Sequence, residues 1–166
     1  RAAPVSGAKA LMDYQCRFLA EAQGEGLNFV LGVAVPVTSL CPCSKAISDY
    51  GAHNQRGTIR IETRSAGIVW IEELIDIAEA SASSPVYALL KREDERHLTM
   101  QAYENPVFVE DMVRNAAVRL RADPRIDWFR VRADNQESIH NHNAFAQVAW
   151  TRPGFCVPRS PPREHP

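Results

Sequence analysis

Residues 39–56, SLCPCSKAISDYGAHNQR, hold the densest group of reactive side chains in the chain. Cys41 and Cys43 flank a proline, and His53 follows in a run rich in glycine and asparagine. Thiolate sulfur and imidazole nitrogen are donors that bind Zn(II) and similar ions at neutral pH. The spacing leaves three readings open: a metal site, a redox pair, or two incidental loop cysteines. Zinc sites more often place two residues between paired cysteines than one. One thiolate with one imidazole is also an incomplete ligand set.

The polar turn DNQESIHNHN (134–143) carries His140 and His142. If the backbone there is extended, both rings point to one side, because strand side chains alternate with period two. Two imidazoles on one side suit metal binding or paired proton transfer; a hydrated hairpin tip is the plainer alternative. Glu95 is one of several acids in the charged run KREDERHLTM (91–100), which by itself reads as a solvated face. Glu110 lies near a helix start, where the macrodipole favours an anion.

The elements that must position these groups follow from periodicity. Residues 11–20 alternate, with Met12, Tyr14, Cys16, Phe18 and Ala20 on one face, which predicts a half-buried strand with Cys16 as a structural thiol. A turn signal at 23–26 leads to a second strand over 28–38, with Phe29, Leu31, Val33, Val35 and Val37 inward. Pro36 suggests an edge or the end of that strand, and the short connection predicts an antiparallel hairpin. Residues 58–64 predict a small extra strand.

Residues 70–82 then carry the stripe of an amphipathic helix in Ile71, Leu74, Ile75 and Ala78. Another helical turn is expected over 86–91. Asn105-Pro106 reads as the start of a helix whose stripe is Phe108, Met112, Val113, Ala116 and Leu120, ending near Asp123-Pro124. Residues 126–133 and 144–151 close the domain as strands. The expectation is an α+β domain over residues 1–152, with helices on one face of an antiparallel sheet in the order β-β-α-α-β-β. Residues 153–166, rich in proline and arginine, read as a disordered tail.

Composition excludes several classes. The chain's 166 residues, 45% apolar and 23% charged, suit one globular domain. With 19 basic and 20 acidic residues, nothing points to a nucleic acid or membrane partner. Four cysteines, two of them almost adjacent, favour reduced thiols in the cytoplasm over a secreted disulfide framework. The chain opens RAAPVSG without an initiator methionine and is expected to be part of something longer.

The runs VPVTSLCPCSKAISDYGAHNQRG, YENPVFVEDMVRNAA and ESIHNHNAFAQV together resemble the type IB GTP cyclohydrolases of folate biosynthesis. The resemblance implies a tunnelling fold (T-fold), in which sheet modules with two helices each assemble into barrels. The resemblance further implies two modules in tandem and a homotetramer; this chain resembles the second module, and a preceding one is expected in the whole protein. The implied reaction is hydrolysis of GTP to 7,8-dihydroneopterin triphosphate and formate.

By the same resemblance Cys41, His53 and Glu95 would ligate one divalent ion, zinc, manganese or iron, which supplies an activated water for attack at C8 of guanine. His140 and His142 would shuttle protons, Glu110 would accept hydrogen bonds from guanine N1–H and its 2-amino group, and Cys43 would stand beside the ion or pair oxidatively with Cys41. Two alternatives are carried: a nitrile reductase of the same fold group with a cysteine nucleophile, and a non-catalytic oligomerising module with a structural zinc.

Overall fold

Apolar residues recur at every second position along Gly26–Leu40 (β2), placing Leu31, Val33, Val35 and Val37 on one buried face. In the computed structural model, which describes residues 1–23 and 26–156, this strand lies inside a six-stranded antiparallel sheet. Its neighbours are β1 (Gln15–Gln23) and β3 (Asn54–Ser65). The order continues through β5 (Ile126–Gln136) to β6 (Ala144–Thr151). Short β4 (Ser84–Pro85) pairs with β2 at Val37 and Thr38. Pro36 falls between the end of the β1 pairing, at Ala34, and the start of the β4 pairing, at Val37, so no ladder partner needs its missing N–H.

The inward face of Val33, Val35, Val37, Ile59, Ile61, Phe129, Val131 and Ala133 is covered by two helices. One is α2 (Ile71–Glu79), through Leu74, Ile75 and Ala78; the other is α4 (Val109–Ala122), through Met112, Val113, Ala116 and Leu120. The opposite face is charged. Arg60 and Arg132 both pair with Asp134, at 2.7 and 2.8 Å, and Arg130 pairs with Glu62 at 2.6 Å. Partly exposed pairs of this kind contribute at most about 1 kcal/mol each, so the apolar face holds the sheet while the charged face marks its open side.

Each longer helix starts in the same way: the backbone N–H before the helix donates to a carboxylate three residues on. Trp70 donates to Glu73 at 2.7 Å and Phe108 to Asp111 at 3.1 Å. Lys91 donates to Asp94 at 2.9 Å, at the head of α3 (Arg92–Glu104). Asp94 is fully buried and also accepts the N–H groups of Val5 and Ser6, each at 2.9 Å, and the Ser6 hydroxyl at 2.6 Å. It thereby ties the first residues of the chain to α3.

Several expectations are corrected. The element order is β-β-α-β-α-β-α-α-β-β, not β-β-α-α-β-β. Residues 58–64 belong to β3, the long central strand of the sheet and not a small extra one. The cysteine stretch is not all loop, since Pro42–Ile47 forms a short helix, α1. Residues 86–91 are not helical, and the charged run is α3 itself. Its buried stripe is only Asp94, Leu98 and Ala102, too thin and too polar to show as periodicity. Asn105 closes α3 and does not open α4; its side-chain N–H donates to the Ala82 carbonyl at 2.9 Å.

The first strand begins at Gln15, and Phe18, on the edge of the sheet, is 61% exposed where burial was expected. Its ring meets that of Phe29, itself 44% exposed, at 6.3 Å. Gln23 and Gly26 pair across the first hairpin, and turn residues 24 and 25 lie outside the described residues. Phe155 N–H donates to the Arg152 carbonyl at 3.0 Å, and residues 157–166 of the expected tail also lie outside. No helix among the described residues is long and apolar enough to cross a membrane.

Burial pushes the Asp94 carboxyl up, but the hydrogen bonds from Ser6, Lys91 and Val5 outweigh it and hold the group well below the usual aspartate range. A depressed folded-state pKa gives stability that is complete above the unfolded value and lost as pH falls through the folded one. Asp94→Asn is therefore expected to lower the melting temperature at neutral pH and to narrow the gap to wild type in strong acid. Parallel thermal melts across that range check it; a constant gap would contradict the assignment.

Candidate functional site

The buried face of the sheet turns polar at one end. Continuing the inward phase of Val33, Val35 and Val37, β2 presents Ser39; continuing that of Ile61 and Ile59, β3 presents Gly57 and Gln55. Ser39 and Gln55 are cross-strand partners, as are Gly57 and Asn135. A Cβ at Gly57 would stand 2.3 Å from Asn135 Oδ1 and 3.2 Å from the Asp134 carbonyl, so glycine is required by close approach. Ser39, Gln55 and Asn135 are all buried.

The reactive loop grows out of this polar end. Cys41 follows β2, His53 precedes β3, and Cys41 N–H donates to the His53 carbonyl at 3.1 Å. Ser44 on α1 fastens the two ends together. Its hydroxyl donates to the Cys41 carbonyl at 3.1 Å and accepts the His53 N–H at 3.2 Å. Its backbone N–H donates to Cys41 Sγ at 3.4 Å, so the sulfur acts as the helix-capping acceptor. Lys45 lies over the Tyr103 ring at 4.2 Å and donates to the Tyr103 carbonyl, which docks α1 on the end of α3.

Behind the loop, the Ser39 hydroxyl donates to the Val107 carbonyl at 2.9 Å, and Val107 N–H donates to the Leu40 carbonyl at 3.2 Å. Gln55 Nε2 donates to Ser39 Oγ at 3.3 Å. Gln55 Oε1 lies 3.0 Å from His53 Nδ1, and Ser138 Oγ lies 3.3 Å from the same nitrogen.

The β5–β6 loop brings its histidines to this place. His140 and His142 stack with centroids 5.3 Å apart, and His140 stands edge-on to His53 at 6.4 Å. The same-side placement expected of the pair is present, produced by a bend and not by extended backbone. Cys41 and His53 are half-buried, whereas His140 and His142 are exposed.

The other residues singled out by sequence are not gathered so closely. Glu95 on α3 lines a neighbouring cleft of about 360 Å³ with Thr38, Asn54 and Arg56. Glu110 is exposed on the first turn of α4, whose entry Val107 pins to the end of β2. Cys43 is exposed on α1, and Cys41 and Cys43 are both free thiols. Sulfur, nitrogen and carboxylate oxygen suit a mixed-ligand divalent ion. Cys41 and His53 fit as two donors from one loop, but no group of three His, Cys, Asp or Glu side chains able to hold an ion forms among the described residues.

Sequence reasoning missed Ser39, Ser44, Gln55 and Ser138. The available signal for two of them was polarity in an apolar phase: Ser39 follows three inward valines and Gln55 precedes two inward isoleucines.

Comparison with known proteins places the chain in a family. Residues 1–146 match the family model of type I GTP cyclohydrolase FolE2. The chain is 59% identical over 146 residues to the GTP cyclohydrolase FolE2 of Geotalea uraniireducens, covering 88% of this chain and 54% of that protein. It is 56% identical over 146 residues to that of Maridesulfovibrio salexigens, covering 88% and 57%. It is 53% identical to that of Nitrosococcus oceani, covering 88% and 55%. The chain thus spans little more than half the length of the curated relatives it matches. With a match over nearly its whole described length, the chain belongs to the type I GTP cyclohydrolase FolE2 family.

Proposed function

We propose that the protein carrying this chain is a cytoplasmic, metal-dependent GTP cyclohydrolase, converting GTP and water to 7,8-dihydroneopterin triphosphate and formate at the entry to tetrahydrofolate biosynthesis. The observation that carries this reading is the meeting of Cys41 and His53 with His140 and His142 in one pair of loops. The relatives named above are all cyclohydrolases, which leaves the nitrile-reductase and structural-zinc alternatives without support.

In this proposal Cys41, His53 and Glu95 would hold one divalent ion, zinc, manganese or iron. When bound, such an ion acts as a Lewis acid that makes water nucleophilic near neutral pH. His140 and His142, stacked and exposed, accept and return protons at their ring nitrogens during opening and closure of the purine imidazole ring. Glu110 accepts hydrogen bonds from guanine N1–H and the 2-amino group, a charge-assisted pair that adenine cannot offer. Cys43 stands beside the ion-binding thiol.

Residues 1–152 act as one tunnelling-fold module. A second module supplies basic groups for the triphosphate, and further copies complete a homotetramer. Among the described residues β1 and β6 are the outermost strands, and their outer edges are where neighbouring sheets would continue the ladder.

The test is formate release and neopterin fluorescence from GTP by the metal-loaded protein. Turnover abolished by chelation and restored by a divalent ion is expected; chelator-resistant turnover, or none after metal loading, would contradict the proposal. Cys41→Ala and His53→Ala are each expected to lose most bound metal by elemental analysis, and wild-type metal in both would exclude the pair. Glu110→Gln is expected to weaken GTP binding by about tenfold or more, the scale of one hydrogen bond to a charged group. Calorimetric titration reads this, and unchanged affinity would sink the guanine role.

A further inference from the structure

We infer that Gln55 is a positioning residue: held by Ser39, it fixes His53 as the Nδ1–H tautomer and leaves Nε2 as the ring's free lone pair. The inference rests on the reading of His53 as a metal ligand and deepens it by naming the nitrogen and what selects it.

The Val107 carbonyl can only accept, and Ser39 Oγ, fully buried, reaches it at 2.9 Å. The single proton of Ser39 is committed there. The contact of 3.3 Å between Ser39 Oγ and the Gln55 amide must then be donated from the amide, which places Nε2 toward Ser39. Oε1 is the end left to face His53 Nδ1 at 3.0 Å. An amide oxygen has no proton, so the imidazole must supply one, and in the neutral ring that proton sits on Nδ1.

Ser138 Oγ, 3.3 Å from the same nitrogen, does not decide the matter. It is exposed and rotatable and can accept the same proton, whereas Gln55 is buried and its amide direction is set from behind. A ligating histidine whose other ring nitrogen donates to a fixed acceptor is held in orientation as well as in tautomer. Here the acceptor chain runs from the imidazole through Gln55 and Ser39 to the backbone where α4 begins.

The tautomer can be read without metal, substrate or activity. Protein labelled with ¹⁵N at histidine, metal-free and at a pH where imidazole is neutral, is recorded by long-range ¹H–¹⁵N correlation, with His53→Gln supplying the assignment. The expected result is His53 protonated at Nδ1; a ring protonated at Nε2 would overturn the inference. Gln55→Leu is expected to move the ring toward the Nε2–H form that free histidine prefers, and Gln55→Glu, which keeps an acceptor, to retain Nδ1–H. A tautomer unmoved in Gln55→Leu would overturn the role of Gln55.

Zinc affinity by chelator competition is expected to fall about 10- to 100-fold in Gln55→Leu, with recovery in Gln55→Glu; equal loss in both would mark a merely structural residue. Because the spectra need no turnover, an Nδ1–H ring in an inactive protein would defeat the proposed activity and leave this inference standing. An Nε2–H ring in an active one would do the reverse.

Discussion

The Val107 carbonyl accepts the Ser39 hydroxyl at 2.9 Å, and much of the candidate site depends on that contact. A buried carbonyl left unpaired costs about 1–3 kcal/mol, so Ser39 has little freedom to turn. Its commitment orients Gln55, and Gln55 meets His53. The return bond from Val107 N–H to Leu40 fixes the entry of α4, the helix that carries Glu110. One serine at the end of a valine strand therefore links the strand that carries Gln55 beside His53 to the start of the helix that carries Glu110.

The sheet separates two tasks. Its apolar face, sealed by α2 and α4, supplies stability; its charged face, where Arg60–Asp134 and Arg130–Glu62 pair across strands and Arg132–Asp134 along β5, stays open. The site occupies the end where these two regimes meet. The core phase becomes serine, glutamine, glycine and asparagine there, and Ser39 and Gln55 supply hydrogen-bond partners to the segments that leave the sheet. Gly57 allows Asn135 to pack against β3, and Ser44 closes the loop between the strands.

What sequence alone conveys depends on how strongly each residue's neighbours constrain it. The valines of β2 and the stripe of α4 announce themselves by period, and strand Ala144–Thr151 is recovered to the residue. α3 is hidden because it buries a carboxylate in place of an apolar side chain, and what makes Asp94 acceptable there is the N-terminal segment that comes to meet it. Phe18 misleads in the opposite sense: its alternation is that of a buried face, yet it sits on an edge strand. Cys41, His53, His140 and His142 stand out by residue type and family motif. Ser39 and Gln55 do not, because their roles exist only in the pairing of β2 with β3.

In the proposed site this loop offers a metal ion one sulfur, from Cys41, and one imidazole nitrogen, from His53, while Cys43 stays out of the ligand shell. X-ray absorption at the zinc edge of the metal-loaded protein reads this ligand set. The expected shell has a single sulfur at about 2.3 Å, with the remaining ligands nitrogen or oxygen at about 2.0–2.2 Å. A shell with no sulfur, or with two, would contradict it.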